Sequence, residues 1–184
     1  MNNCITTETH FSQTIQFDDI KKVKIELLQI INAIIERNSW SQGEAARVLG
    51  TDQSKISYIK HLKTHGFALE RIFLFLLRLN CDMELAITLL EGRTTINIQS
   101  NIKDVKIAIM CFIVNIITQY HLSQIEAAKA MKIDQPKVSN INRLKTDNFA
   151  IEHLLTLTAR LGCTVEIIIK TKERLKTSPE TFNI

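Results

Sequence analysis

Residues 41–60 read SQGEAARVLGTDQSKISYIK, and residues 123–142 read SQIEAAKAMKIDQPKVSNIN. One chain thus carries nearly the same stretch twice, with some positions kept and others changed. In each copy a serine is followed three residues later by glutamate (Ser41 and Glu44, Ser123 and Glu126), the pattern of a reciprocal N-terminal helix cap. A short helix is expected from Gln42, carrying Ala45, Ala46, Val48 and Leu49, with Gly50 as its C-terminal stop. Asp52 then caps a further helix through about His61, with Ile56 and Ile59 turned inward. Pro136 falls in the first turn of the corresponding helix of the second copy, where a missing N–H does no harm.

The repetition extends well beyond this stretch. Sliding the chain against itself by about 82 residues aligns 23–87 with 105–169 without a gap, and about 27 of 65 positions are identical. Thr14-Ile-Gln-Phe17 also resembles Thr95-Ile-Asn-Ile98, after a one-residue slip. Each unit is large enough for a small domain. The expected organisation is a polar N-terminal tail 1–19, a first domain 20–90, a linker 91–101 centred on EGRTT, a second domain 102–171 and a C-terminal tail 172–184. Within the first unit Ile25, Leu28, Ile31 (or Ile30), Ile34 and Ile35 recur at helix spacing. A fourth helix is expected over 69–79. The β-branched runs 83–90 and 164–170 predict a short strand at the end of each unit.

Bulk properties narrow the function classes. The 184 residues are 45% hydrophobic with a net charge of +4, enough for a buried core and mildly basic, which permits a nucleic-acid partner without requiring one. Four cysteines (Cys4, Cys81, Cys111, Cys163) form no CxxC pair, and the N-terminus lacks both a basic start and an apolar run. A reduced, cytoplasmic, nucleoid-associated protein is expected, with Cys81 and Cys163 as small core residues. The longest apolar stretch, 107–114, falls far short of the roughly 18 residues of a membrane span, so no membrane association is expected.

A capped helix, a short turn and a second capped helix, with small alanines on the first, suit two helices packed at a steep angle. The second helix then keeps one face free, as in a helix-turn-helix that presents it to the DNA major groove. The pattern S-Q-x-E-A-A-x-x-x-G-x-D-Q-x-K-[IV]-S-x-[IL] resembles the XRE (Cro/repressor-like) helix-turn-helix. The whole unit, down to F-A-[LI]-E…R-L-x-C-x-x-E-[LI], is similar to the branch containing HigA-type antitoxins. The resemblance covers about 65 residues in each unit and implies a mainly α fold: two tandem repressor-like helix-turn-helix domains, each ending in a short β-strand.

Carried over position by position, it implies a double-stranded DNA partner and a set of contacts. Gln42 and Gln124 open the first helix of each motif, where side chain and backbone N–H groups would hold a phosphate. Gln53, Ser54, Lys55 and Tyr58 would face the groove in the first unit, and Gln135, Lys137 and Asn140 in the second. A glutamine or asparagine there can bond adenine N6 and N7 together, worth about 1–3 kcal/mol of discrimination. Lys55 and Lys137 would meet guanine or phosphate. Ser57, Ser139, His61, Arg143, Lys63 and Lys145 suit backbone contacts. One departure stands out: Lys132 replaces Gly50, and a left-handed lysine costs about 1 kcal/mol. Either the turn differs in the second unit or that unit is the weaker reader.

Core positions mostly change like for like between copies (Ile56 to Val138, Leu69 to Ile151), whereas outward positions change character (Ser54 to Pro136, Tyr58 to Asn140, His61 to Arg143). Two unequal half-sites are therefore expected. The apolar 107–114 and the extra Leu74 and Phe75 point to an extensive interface, either between the units of one chain or in a homodimer of whole chains. The favoured function is a DNA-binding transcriptional regulator, specifically a repressor. The alternative is an antitoxin, with a toxin protein as a further partner and the tail 1–19, bearing Phe11, Ile15 and Phe17, as its docking segment. A pure protein-interaction module is a third class. No phosphate loop, HExxH or Ser/His/Asp cluster points to an enzyme. His61, His65 and Cys81 are spaced as metal ligands can be, but only the cysteine recurs in the second unit, so neither metal nor cofactor is expected.

Overall fold

The computed structural model describes residues 10–90 and 92–172. The first unit runs β1 (His10–Gln16), α1 (Ile20–Arg37), α2 (Gln42–Leu49), α3 (Gln53–Lys60), α4 (Leu69–Arg78) and β2 (Cys81–Leu89). The second repeats it as β3 (Gly92–Asn97), α5 (Ile102–Gln119), α6 (Gln124–Met131), α7 (Gln135–Asn142), α8 (Ile151–Arg160) and β4 (Thr164–Lys172). A single 3-10 turn, Thr64–Gly66 or Thr146–Asn148, enters α4 and α8. The fold is mainly α, and each unit ends in a strand.

The four strands form one antiparallel sheet in the order β1-β4-β2-β3, which exchanges strands between the units. The N-terminal strand of the first unit pairs with the C-terminal strand of the second, Ile15 opposite Ile167. Reciprocally, β3 pairs with β2, Ile96 opposite Leu85. At the centre β2 meets β4 with Leu85 opposite Ile167, residues equivalent in the repeat, so a pseudo-two-fold axis passes between them. Matching bonds close the edges: Phe17 N–H donates to Val165 O at 2.8 Å and Ile98 N–H to Met83 O at 2.8 Å. The one-residue slip also has its place. Three residues, Phe17 to Asp19, join β1 to α1, whereas four, Ile98 to Asn101, join β3 to α5.

Alternation along the strands sends Met83, Leu85, Ile87, Val165, Ile167, Ile169 and Ile15 into the core. The other face is polar, with Lys170 at 2.7 Å from Glu84 and Arg93 at 3.1 Å from Glu166. The buried side chains of both units form one continuous cluster. The helices add crossed contacts: Lys24 on α1 lies 2.7 Å from Glu152 on α8, and its counterpart Lys106 on α5 lies 3.4 Å from Glu70 on α4. Glu70 also accepts the Ile151 N–H at 2.7 Å, serving one of the unsatisfied donors that open a helix of the other unit. The units thus pair with each other within one chain.

Several expectations change. The stretch expected as a linker, 91–101, holds β3, and the expected polar tail 1–19 holds β1, with Ile15 only 1% exposed. Met1–Thr9, Glu91 and 173–184 lie outside the described residues, and Cys4 with them. In α1 the inward positions are Val23, Leu27, Leu28, Ile31, Ile34 and Ile35; Ile25 is only half-buried, because the helix packs on α3, α4 and β1 through those other positions. Val48 is exposed, and α2 packs through Ala45, Ala46 and Leu49. In α5, Ile109, Met110 and Ile113 are buried but Cys111 is exposed, so its apolar run is not covered all round. Cys81 and Cys163 are buried, and burial pushes both thiols up to about 11.

Ile167 sits between Ile15 and Leu85 with no exposed surface. Ile167→Ala is expected to cost about 2–5 kcal/mol, as for other buried isoleucines. Because the core is continuous, denaturant unfolding followed by circular dichroism should show one shifted transition, with neither unit melting separately.

Candidate nucleic-acid interface

Both motifs are built by the same local devices. Ser41 accepts the Glu44 N–H at 3.3 Å while the Glu44 carboxylate accepts the Ser41 N–H at 2.8 Å, and Ser123 with Glu126 repeats these bonds at 3.3 and 2.8 Å. The serine hydroxyl and then its N–H hold the carboxyls of Glu44 and Glu126 below their ordinary pKa. In the first unit Asp52 accepts the Lys55 N–H at 2.9 Å. The Ser54 hydroxyl, then this N–H, lower the Asp52 pKa. In the second unit Asp134 makes no side-chain cap and lies 3.7 Å from Lys137.

The turn between the motif helices is left-handed in both copies, φ 58° at Gly50 and 54° at Lys132. The turn therefore does not differ, and the lysine accepts the strain. A second device holds it. Arg78 of α4 donates to the carbonyl of Leu49, and its repeat counterpart Arg160 donates to Met131 O at 2.9 Å, satisfying carbonyls at a helix end that lack intrahelical partners. In the first unit Arg71 adds a bond to Gly50 O at 3.2 Å. His153 stands in its place in the second, stacked on Phe149 at 5.6 Å. Burial first, then Lys137 and Arg160, lower its pKa, which favours the neutral ring. The sequence reading assigned these arginines no role, although each is the R of the repeated F-A-[LI]-E…R-L-x-C pattern.

The expected contact residues divide into open and engaged groups. Gln42, Gln53, Ser54 and His61 are exposed in the first unit, and Gln124, Gln135, Lys137 and Arg143 in the second; Ser57, Tyr58, Ser139 and Asn140 are half-buried along the recognition helices α3 and α7. Lys55 differs from expectation. Its ammonium donates to Gly66 O at 3.3 Å and lies 5.2 Å from the Tyr58 ring and 5.5 Å from the Phe67 ring, so a cation–π cradle turns it back over the 3-10 turn. Lys63 also sits 5.2 Å from the Tyr58 ring, and the His65 ring lies tilted against it at 5.6 Å. The Ser54 hydroxyl is likewise engaged, donating to Asp52. Asn140 replaces Tyr58 in the second unit, which leaves Lys137 without such a cradle.

A family model described as a helix-turn-helix domain matches the chain twice, over residues 14–88 and 97–170. The chain belongs to this helix-turn-helix family, with two tandem copies of a DNA-binding type of domain. Neither a curated protein nor a solved structure matches it. Among the described residues no helix is long and apolar enough to cross a membrane.

Replacing Lys132 by glycine removes the left-handed strain and should stabilise the protein by about 1 kcal/mol. Gly50→Lys should destabilise by about 1 kcal/mol, the left-handed strain alone, since the Arg78 guanidinium that a Cβ would meet ends a flexible side chain and Arg160 keeps its bond beside Lys132. Chemical denaturation of the two variants checks both signs.

Proposed function

We propose that the chain is a sequence-specific double-stranded DNA-binding transcriptional regulator, a repressor acting by occupancy, whose two units read two unequal half-sites. One observation supports this above the others: a shared sheet holds two capped helix-turn-helix motifs in one body while each recognition helix keeps a polar face open. A single chain then supplies what a homodimer of one-unit proteins would, and half-sites on one face of B-DNA lie about 34–36 Å apart. Contact through the second unit is intramolecular once the first is engaged.

Within this reading Gln53 and Gln135 face base edges, with Asn140 as a second adenine reader and Tyr58 taking its place in the first unit. Gln42 and Gln124 approach phosphates at the start of α2 and α6. Lys137 and Arg143 supply charge in the second half-site; Ser57, Ser139, His61, Lys63 and Lys145 flank the groove on backbone. The units are read as Cro/repressor-like, nearest the HigA-type branch, on the resemblance of their sequence pattern. The antitoxin alternative assigned 1–19 to a toxin, but Ile15 is committed to the sheet and Phe17 packs against the core, which favours the regulator.

Selection of bound duplexes from a random DNA pool, followed by salt titration, tests the proposal. Two unequal half-sites about one helical turn apart with a steep salt slope are expected; a perfect palindrome refutes unequal reading, and no enrichment refutes DNA binding. In the same assay Lys137→Ala should weaken binding and reduce the salt slope by about 1 without lowering the melting temperature. Lys55→Ala should lower the melting temperature and leave the slope unchanged.

A further inference from the structure

An apolar side chain lies open beside one recognition helix and has no counterpart beside the other. Ile125, the second residue of α6, is 67% exposed, yet both its neighbours along the motif, Gln124 and Gln135, are polar. The equivalent residue in the first unit is Gly43, and a Cβ placed there would stand 3.4 Å from the Gln53 side-chain nitrogen. The repeat therefore directs position 125 at the opening residue of its recognition helix, Gln135. In the first unit Gln53 lies over the bare glycine. At the equivalent position of the second unit stands a branched hydrocarbon. Core packing does not explain it, because α6 is held through Ala127, Ala128 and Met131.

We propose that Ile125 is a specificity residue that packs against the 5-methyl group of a thymine in the half-site of the second unit. The inference rests on the DNA-binding reading above. The only apolar feature on a major-groove base edge is the thymine methyl, so a hydrocarbon placed between a phosphate-facing and a base-facing glutamine meets it there. By the repeat, the Ile125 side chain stands beside Gln135 at the place where Gly43 leaves the Gln53 amide uncrowded. The two half-sites then differ in kind: a thymine requirement beside the base read by Gln135, and none at the matching position read through Gln53.

The test replaces each thymine of the selected duplex in turn by deoxyuridine, which removes the methyl group alone. One replacement in the half-site of the second unit should weaken binding of the full-length protein about fourfold, the worth of one buried methyl group. Ile125→Gly, a residue the first unit carries at this position, should bind thymine and uracil duplexes equally, and Ile125→Val should keep the discrimination. A converse variant, Gly43→Ile, should add a thymine preference in the other half-site. Unchanged discrimination in Ile125→Gly, or no methyl-sensitive position in that half-site, overturns the inference while leaving DNA binding intact. Failure of the wild-type chain to enrich any duplex overturns the functional reading and this inference with it.

Discussion

The antiparallel pairing of β2 with β4, centred on Leu85 opposite Ile167, is the constraint on which the molecule depends. Strands flanking it come from the opposite unit in each case, so neither unit closes its own sheet edge. Ile15 completes the core beside Ile167, and Ile98 closes against Met83. A two-stranded ribbon is marginal in water, whereas four strands with one apolar face are stable. Exchange thus makes each helix-turn-helix contingent on the other. The crossed pairs Lys24–Glu152 and Lys106–Glu70 fix the same arrangement from the helical side. They sit in partly buried surroundings, where a lost partner costs more than it would on the surface.

Because the chain holds two versions of one unit, each acts as a control for the other. Features present in both are those the fold needs: the serine–glutamate box, the left-handed turn, and the arginine of α4 or α8 on the last carbonyls of the preceding motif helix. The second unit tolerates Lys132 at φ 54° because Arg160 still holds the turn at 2.9 Å. Features found in one copy alone cluster on the recognition side. The Tyr58 cradle that captures Lys55, the second arginine Arg71 and the bare Gly43 belong to the first unit. Lys137 beside Asp134 rather than an aromatic cradle, His153 stacked on Phe149 and exposed Ile125 belong to the second.

Much of this was legible in the sequence, for identifiable reasons. Helices announce themselves through local periodicity and caps, so α2, α3 and α4 emerge within a residue or two of their ends, as do the β-branched strands β2 and β4. The tail and linker were misread because β1 and β3 are edge strands with one solvated face. Their period-two signal rests on Ile15 and Phe17, and on Ile96 and Ile98, among threonines, glutamines and asparagines. Strand exchange left no local trace, since Gln16 and its partner Glu166 stand 150 positions apart. The capture of Lys55 was illegible too: it requires Gly66 O, Tyr58 and Phe67 to meet in space, and spacing along α3 registers only Tyr58.

Fusion also changes what the two faces are free to become. A homodimer is bound by symmetry, so any substitution appears in both halves and the half-sites must match. Joining the copies lifts that restriction, because each recognition surface can alter while the shared sheet stays fixed. The connection that joins them is itself structural: β3 must leave β2 through a tight reversal and still bring Ile96 opposite Leu85. A change in its length by one residue would turn Ile96 outward, since alternate residues of a strand face opposite sides. Relative position is therefore held by register while reading is left to diverge, and the substitutions Gly43 to Ile125, Tyr58 to Asn140 and Ser54 to Pro136 fall on the side where register imposes nothing.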